Sequence, residues 1–211
     1  MSSRPDVQAR HRQRRLDTRR RILDAALSLL EQHPWSEISL EQIMSRADLT
    51  RTAFYRHFDD RQLLLVALLE DVGVGFDDAA ADWWGGETDD PATALREGLR
   101  ELVQIFVDHG RLLRAISDAA NQDPDIRTIY GELAERLIKA NAERIAADVE
   151  AGRSSVSDPE AISNALTWMN ERVLQNLFGQ TPLGDADRTA AALGDVWVAT
   201  IYGAGAGAAK N

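Results

Sequence analysis

Side chains rich in hydrogen-bond donors follow one another along one short stretch of the chain. They are Thr50, Arg51, Thr52, Tyr55 and Arg56. If this stretch is helical, Phe54 and Phe58 lie one turn apart and share a buried face, which leaves the polar side chains directed outward. Arginine matches the edge of guanine and the oxygen atoms of phosphate with paired N–H donors. The stretch therefore predicts a surface that binds nucleic acid.

A second short helix is predicted just before this one, so that the pair forms a helix-turn-helix. Ser39 and Gln42 have the spacing of a capping box at its start. Its apolar stripe consists of Leu40, Ile43, Met44 and Ala47. The turn is Ala47–Leu49, and Thr50 is the N-cap candidate of the second helix. The alternative is an amphipathic helix pair that packs and has no further role.

The charge of the chain is divided unevenly. The net charge is −10, yet residues 1–61 hold 12 Arg and 9 Asp or Glu, whereas the remainder has a net charge of −13. Eight arginines lie within the first 21 residues, together with only Asp6 and Asp17. This asymmetry indicates a DNA-facing end joined to an acidic body. Residues 1–16 are predicted to form a flexible basic arm, and the alternative is a solvated tail with no partner.

Several classes of protein are disfavoured by composition. The chain has no cysteine, so disulfides, thiolate metal sites and a cysteine nucleophile are excluded. Its four histidines are scattered without the spacing of metal ligands, and no cofactor is predicted. No apolar run approaches the ~20 residues of a membrane span, and the first thirty residues are too charged for a secretory signal. A cytoplasmic protein with no membrane partner is expected.

Apolar residues recur at helical spacing along the rest of the chain, and no segment alternates as a strand does. The predicted helices run from Asp17 to His33, from Asp60 toward Ala81, from Ala92 to Asp108, from Arg111 to Asn121, from Pro124 to Gly152, from Pro159 to Gly179 and from Asp185 to Tyr202. Trp83–Pro91 is predicted as a loop, His109-Gly110 as a helix end and residues 204–211 as a disordered tail. With the helix-turn-helix, this gives an all-α fold of about nine helices.

At these residues the sequence resembles the TetR-type bacterial transcriptional repressors. The resemblance is carried by Ile22–Ala26, Ser39–Ile43, Thr50–Phe58, Arg61 and Leu64. Farther along, Asn164–Arg172 and Val196–Gly203 resemble the ethionamide-resistance (EthR-type) regulators of that family. The resemblance implies a helix-turn-helix DNA-binding domain over residues 17–61 and a ligand-binding and dimerisation domain over residues 62–203.

The resemblance also implies which side chains face DNA. Those at the start of the recognition helix, Thr50, Arg51, Thr52 and Ala53, would meet base edges. Tyr55 would bind phosphate, as would Arg61, which stands where the family usually has lysine. Ser39 and Arg56 complete the predicted DNA-binding set. Asp48 occupies a turn position that is usually glycine, where a left-handed backbone is expected, and Asp59 and Asp60 add negative charge beside the expected phosphate contact.

In EthR-type regulators an apolar channel between helices holds the ligand. The matching positions here are Leu95, Leu99, Leu102, Phe106, Tyr130, Leu133, Leu137, Thr167, Asn170, Leu174 and Trp197. Leu95 and Leu137 are smaller than the aromatic residues that the resemblance leads us to expect, and Thr167 replaces an asparagine. Asn170 is retained as the polar partner. The alternative is that these positions form ordinary core, in which a neighbouring group or water satisfies the Asn170 amide.

The last two helices are expected to form a homodimer. Ala190, Ala191, Gly194 and Ala199 are small enough for close helix approach across a two-fold axis. Two-fold symmetry would place the recognition helices ~34 Å apart on palindromic DNA.

The resulting hypothesis is a dimeric repressor that binds a double-stranded DNA operator and is released by a small apolar effector, not an enzyme. One alternative is a helical small-molecule-binding protein or enzyme with a vestigial DNA-binding end. Another is a DNA-binding protein with no effector. Against an enzyme, the sequence has no recognisable metal constellation, nucleophile–base pair or phosphate loop.

Overall fold

The computed structural model describes residues 4–85, 90–181 and 183–203, and these are helical with no strand. Eight α-helices run in chain order as α1 Arg4–Leu30, α2 Leu40–Arg46, α3 Arg51–Phe54, α4 Arg61–Gly85, α5 Pro91–Ala120, α6 Pro124–Glu150, α7 Pro159–Phe178 and α8 Ala186–Tyr202. A short 3-10 helix spans Trp35–Glu37. The disordered tail predicted at residues 204–211 lies outside the described residues. The chain divides into two compact units, Met1–Leu68 and Leu69–Asn211.

The first unit is built on the predicted apolar stripes. Ile22 and Ala26 of α1 are fully buried, as is Ile43 of α2. Phe54 and Phe58 are buried with ring centroids 5.5 Å apart, as their four-residue spacing predicts. The core of this unit therefore follows directly from local periodicity.

The start of α1 differs from the prediction. The stretch predicted as a flexible arm is helical from Arg4, thirteen residues before the predicted start at Asp17. Pro5 lies in the first turn, where proline is tolerated, and the arginines and glutamines that follow are good helix formers. Gln13 donates to Asp17 four residues on (2.9 Å), which is a stabilising spacing on a helix. The basic residues therefore lie on a helix.

The recognition helix is shorter than predicted. Regular α3 ends at Phe54 instead of continuing to Phe58, and a turn follows. Thr50 does occupy the N-cap position, but its side chain makes no capping hydrogen bond. The Phe58 N–H still donates to the Phe54 carbonyl (3.0 Å), so the two rings remain on one face.

Two of the predicted helix ends in the second unit are wrong. Trp83 and Trp84 belong to α4, which reaches Gly85, because both side chains find tertiary partners there. Helix α5 runs without interruption through His109 and Gly110, so the described chain has eight helices instead of about nine. A Cβ atom at Gly110 would overlap the carbonyl of Phe178, so this glycine serves close packing against α7 and does not end a helix.

In the second unit, α5 packs against α6, α7 and α8, and α6 packs against α7. Helices α6 and α7 begin at Pro124 and Pro159, as predicted, and the preceding Asp123 and Asp158 each accept from backbone N–H groups of the first turn. The core includes Trp83, Leu95, Leu99, Ile145, Leu166, Trp197, Val198 and Ile201. No helix in the described ranges has a stretch apolar enough to cross a membrane.

Candidate functional site

The helix-turn-helix has the capping box and the turn that its sequence predicts, although Thr50 makes no side-chain cap. Ser39 Oγ accepts from the Gln42 N–H (3.2 Å), and the Gln42 side chain accepts from the Ser39 N–H (2.6 Å), which completes the capping box. Asp48 adopts the left-handed conformation expected at the turn, with φ of 52°. Arg21 of α1 donates to the Ala47 carbonyl (2.6 Å) and so ties α1 to this turn.

Arg51 is held in a fixed direction at the surface. Its Nη1 donates to Glu41 Oε1 (3.0 Å) and its Nη2 to the Tyr55 hydroxyl (3.3 Å). The guanidinium carbon lies 5.8 Å from the centre of the Tyr55 ring. The hydrogen bond with Tyr55 is the main cause that raises the Arg51 pKa. The guanidinium is thus oriented without being buried.

The remaining predicted DNA-binding residues divide into two groups. Thr50, Thr52, Tyr55 and Arg56 are exposed, and Ala53 is partly exposed. Ser39 is partly buried and its hydroxyl is occupied by the capping box, so its described role lies within the fold. The exposed group forms one continuous polar stretch beside Arg51.

Arg61 lies in a different environment from the one that the resemblance implies. Its Nη1 donates to the carbonyls of Ile38 and Trp35, and its guanidinium carbon stacks 4.8 Å from the centre of the Trp35 ring. Burial lowers the Arg61 pKa. Arg61 therefore joins the 3-10 segment to the start of α4, and a phosphate contact would use its two other nitrogen atoms.

A basic cluster beside the recognition helix was missed from the sequence. The charges of Arg15, Arg19 and Arg56 act on His57, whose pKa is lowered mainly by burial and further by these three residues. Arg19 also lies 5.3 Å from the centre of the Phe58 ring. Among the described side chains these arginines form no ion pair. The four-residue spacing of Arg15 and Arg19 on one helix face is a signal that the arm prediction left unused.

The second unit contains a cavity of about 120 Å³ that is partly open to solvent. Ten of the eleven predicted ligand-binding residues line it: Leu95, Leu99, Leu102, Phe106, Tyr130, Leu133, Leu137, Thr167, Asn170 and Trp197. Leu174 does not, because its side chain is fully buried away from the lining. The positions expected from the resemblance to EthR-type regulators thus lie together around one cavity, on α5, α6, α7 and α8.

Other lining residues were missed, two of them because their helix was ended too early. Phe76, Ala80, Trp83 and Trp84 of α4 all line the cavity. Trp83 and Trp84 were predicted to lie in a loop, and in a loop the sequence does not indicate which side chains face the interior. Asn141 and Glu171 also line the cavity and were not predicted.

The cavity has one amide with an open donor. Asn170 Oδ1 accepts from the Trp197 indole N–H (3.0 Å). In the described part of the chain, no acceptor takes a hydrogen bond from Asn170 Nδ2, and no fully buried side-chain atom lacks a partner. The Nδ2 group is therefore accessible from the space that Asn170 lines, and it is oriented because the indole fixes the other end of the amide.

Two further polar groups sit among the apolar walls. Trp84 donates to Asn141 Oδ1 (2.8 Å), and Asn141 Nδ2 donates to the Thr167 hydroxyl (3.3 Å). Tyr130 donates to Glu171 Oε1 (2.9 Å), and burial followed by the Glu171 charge raises the Tyr130 pKa. Among the described residues, no group of three or more His, Asp or Glu has the arrangement of a metal site.

The small residues proposed for the dimer interface do not share one surface. Gly194 and Ala190 are buried within the chain, and a Cβ at Gly194 would lie 2.9 Å from Arg96 of α5. Their assignment to the interface was wrong, because helical spacing does not distinguish an internal contact from an external one. Ala191 and Ala199 are exposed. Trp168 and Leu177 of α7 and Val196 of α8 are exposed apolar residues of the same two helices.

Comparison with known proteins adds two family matches, one on each unit. Residues 22–68 match the bacterial regulatory proteins of the tetR family, and residues 95–203 match the C-terminal domain of the transcriptional regulator EthR. The chain belongs to the EthR-type regulators of the TetR family. This confirms the predicted family and the all-α fold, and makes the chain a transcriptional regulator, not an enzyme.

Relatives of this family align over most of the chain. The HTH-type transcriptional regulator EthR of Mycolicibacterium smegmatis is 28% identical over 188 residues, which cover 86% of this chain and 85% of that protein. EthR of Mycobacterium tuberculosis strain H37Rv is 28% identical over 185 residues, with 86% of each chain covered.

Solved structures share the fold at lower identity. NalD, the secondary repressor of the MexAB-OprM multidrug efflux pump in Pseudomonas aeruginosa, has a TM-score of 0.73 at 23% identity, covering 89% of this chain and 98% of its own. The TetR-family regulator PfmR from Thermus thermophilus has a TM-score of 0.70 at 19% identity, covering 85% of this chain and 97% of its own. These likenesses support the fold alone.

Proposed function

We propose that this TetR-family regulator is a cytoplasmic repressor that binds a palindromic operator as a homodimer and is released by a small, mainly apolar effector. The observation that carries the proposal is the cavity of the second unit, whose apolar walls surround the open donor of Asn170. Mostly apolar pockets with a few placed polar groups are the usual form of small-molecule sites.

The DNA contacts are assigned to the exposed polar stretch of the first unit. Thr50, Arg51, Thr52 and Ala53 face base edges, with Arg51 reading a guanine. Tyr55, Arg56, Arg15 and Arg19 bind phosphates, for which exposed arginines are well suited. The orientation of Arg51 by Glu41 and Tyr55 supports this assignment, because a pre-oriented guanidinium loses less freedom on binding.

Operator binding tests this assignment. Arg51→Ala should weaken operator binding by ~1–3 kcal/mol and relax preference at one base pair. Arg56→Ala is the matched control, since removing a phosphate contact should weaken all sequences alike and reduce the salt dependence. The measurement is fluorescence anisotropy on operator and scrambled DNA at several salt concentrations. If Arg51→Ala leaves the ratio of the two affinities unchanged, Arg51 has no part in base readout.

The homodimer is assigned to the exposed faces of α7 and α8. Leu177, Val196, Ala191 and Ala199 lie there, and exposed apolar residues on neighbouring elements are typical of an interface. Val196→Arg should yield a monomer that no longer binds the operator. Val74→Arg is the control, because Val74 is 61% exposed against 44% for Val196 and belongs to α4. Light scattering that finds Val196→Arg still dimeric would reject this interface.

The effector is expected to place a carbonyl acceptor at Asn170 Nδ2. That hydrogen bond contributes a net ~0.5–1.5 kcal/mol, whereas apolar burial supplies most of the affinity at ~25 cal/mol per Å² before binding costs. The leucines at positions 95 and 137 leave more room than aromatic residues would. Leu137→Trp should therefore weaken effector binding and leave operator affinity unchanged.

Release is proposed to act through α4. This helix begins at Arg61 in the first unit and contributes Phe76, Ala80, Trp83 and Trp84 to the cavity of the second. A ligand that contacts these side chains can favour one position of α4 over another, which is the differential interaction that release requires.

Operator release titrated with apolar amides and esters tests the effector site. Asn170→Leu should lose the preference for carbonyl compounds, but it also leaves the Trp197 N–H without its acceptor. Combining Asn170→Leu with Trp197→Phe removes both partners and avoids that penalty. Trp197→Phe alone is the control that keeps the amide. If the double variant responds like the parent to every releasing compound, Asn170 does not contact the effector.

A further inference from the structure

Glu171 gives the cavity a negative charge that no described residue neutralises. Among the described residues that line the cavity, it has the sole formally charged side chain. No basic group of the described chain lies within ion-pair distance of it, since the ion pairs of the second unit involve other carboxylates. A carboxylate beside apolar walls is unfavourable unless it is hydrogen-bonded or paired, so its hydrogen-bond partners determine how much of it remains open to a ligand.

The two carboxylate oxygens of Glu171 differ in their partners. Oε1 accepts from the Tyr130 hydroxyl (2.9 Å) and from Gln175 Nε2 (2.8 Å), and Gln175 Nε2 also lies 3.2 Å from the Tyr130 oxygen. Within the described residues, no donor reaches Oε2. Because no fully buried side-chain oxygen lacks a partner, Oε2 is accessible to the cavity or to solvent. The network therefore fixes the carboxylate and leaves one oxygen open.

We propose that Glu171 binds a protonated amine of the effector, which makes the effector a cationic amphiphile. This inference rests on the effector-responsive function proposed above. Aromatic side chains line the same cavity as Glu171, among them Tyr130, which donates to its carboxylate, and Trp168, which lies one helical turn before it on α7. Aromatic faces attract cations, so they reinforce a carboxylate as an ammonium site.

The chemistry sets an order of preference among ligands with the same apolar tail. An ammonium N–H donates to Glu171 Oε2 and compensates its charge, whereas an alcohol forms a neutral hydrogen bond. A carboxylate is repelled, since like charges at short distance are unfavourable. The site therefore selects amines over alcohols and alcohols over acids.

The test compares octylamine, octanol and octanoate as agents of operator release. The parent should respond to octylamine at ~10-fold lower concentration than to octanol, because hydrogen bonds to charged groups are stronger than neutral ones. Glu171→Gln keeps the acceptor for Tyr130 and Gln175 and removes the charge. It should weaken the octylamine response ~10-fold, leave the octanol response nearly unchanged and improve the octanoate response. Glu135→Gln, an exposed glutamate of α6 outside the cavity, is the matched control and should respond like the parent.

Different results would reject the amine site at Glu171 and the proposed effector-responsive function. Equal potency of octylamine and octanol on the parent, or a loss of both responses in Glu171→Gln, would overturn the amine site and leave the effector function intact. A parent that binds its operator and is released by none of the three compounds would count against the effector site and this inference together. The comparison on the parent needs no variant, so a folding defect cannot obscure it.

Discussion

Two ion-pair clusters, one in each unit, use their charges in opposite ways. Asp148 of α6 is completely buried and accepts from Arg144 (2.9 and 3.1 Å), Arg153 (2.7 Å) and the Tyr202 hydroxyl (2.6 Å). Arg51 and Glu41 in the first unit form one ion pair at 3.0 Å, with 64% and 67% of their side chains exposed. Asp148 is buried and has three partners, whereas the Arg51–Glu41 pair is exposed, although both sets of contacts join neighbouring helical segments.

The difference separates charges that stabilise the fold from charges that remain available. A buried carboxylate must keep its partners, because removing one leaves an uncompensated charge. An exposed pair contributes little to stability and is screened by salt, so its arginine can exchange one partner for another at low cost. We infer that the Asp148 cluster holds helical segments of the second unit together, whereas the Arg51 guanidinium of the first unit remains available to a ligand.

The largest effect is expected at the buried cluster. Asp148→Ala should lower the free energy of unfolding by ~3–5 kcal/mol, because Arg144 is left charged and buried. Arg153→Ala should have a smaller effect, since the Arg153 side chain is 44% exposed. Urea unfolding measured by circular dichroism gives both values. A loss below ~1 kcal/mol for Asp148→Ala would place this cluster in the same class as the exposed pair.

The packing of the second unit can be probed at Gly110. Gly110→Ala should lower the free energy of unfolding by ~1–3 kcal/mol, because the new methyl group overlaps the Phe178 carbonyl and forces α5 and α7 apart. Gly131→Ala in α6 meets open space and should instead stabilise the chain by ~0.5–1 kcal/mol through helix propensity. The melting temperatures of the two variants, measured by thermal unfolding, compare a packed helix face with a free one. Equal shifts in melting temperature would show that α5 accommodates the methyl group at position 110 without loss of stability.

The exposed pair should tolerate loss of its charge. Glu41→Gln is expected to change the free energy of unfolding by less than ~1 kcal/mol, since both side chains are about two-thirds exposed. The change should shrink further in high salt. Urea unfolding at low and high salt measures this. A salt-independent loss larger than that of Arg153→Ala would break the comparison between the two clusters.

The smallest effect concerns pH and the basic cluster of the first unit. Burial and the charges of Arg15, Arg19 and Arg56 lower the His57 pKa in the folded chain. Between the ordinary histidine pKa of ~6.5 and the lower pKa of His57 in the folded chain, the unfolded chain binds more protons than the folded chain. The free energy of unfolding therefore falls as the pH is lowered through this range. His57→Gln should reduce this slope. An unchanged slope between pH 7 and pH 5 would assign the dependence to other groups.

Local patterns determined much of this protein. The capping box at Ser39, the left-handed turn at Asp48 and the shared face of Phe54 and Phe58 all depend on residues within a few positions of each other. The aspartates that open α6 and α7 are equally local signals. The resemblance to the EthR-type regulators, and not helical spacing, gave the ten expected ligand-binding residues that line the cavity. The family followed from the same short motifs.

Tertiary structure decided what these patterns leave open. Gly110 and Gly194 have the same local freedom as any glycine, and only the approach of Phe178 and of α5 explains them. Trp83 continues a helix because its indole reaches Tyr202, 119 positions later in the chain. The partners of Asn170 and Glu171 likewise come from other turns and helices. Spacing gives the direction of a side chain from its own helix, but the group that it meets depends on how the helices pack, and that contact determines whether a polar atom is satisfied or left open for a ligand.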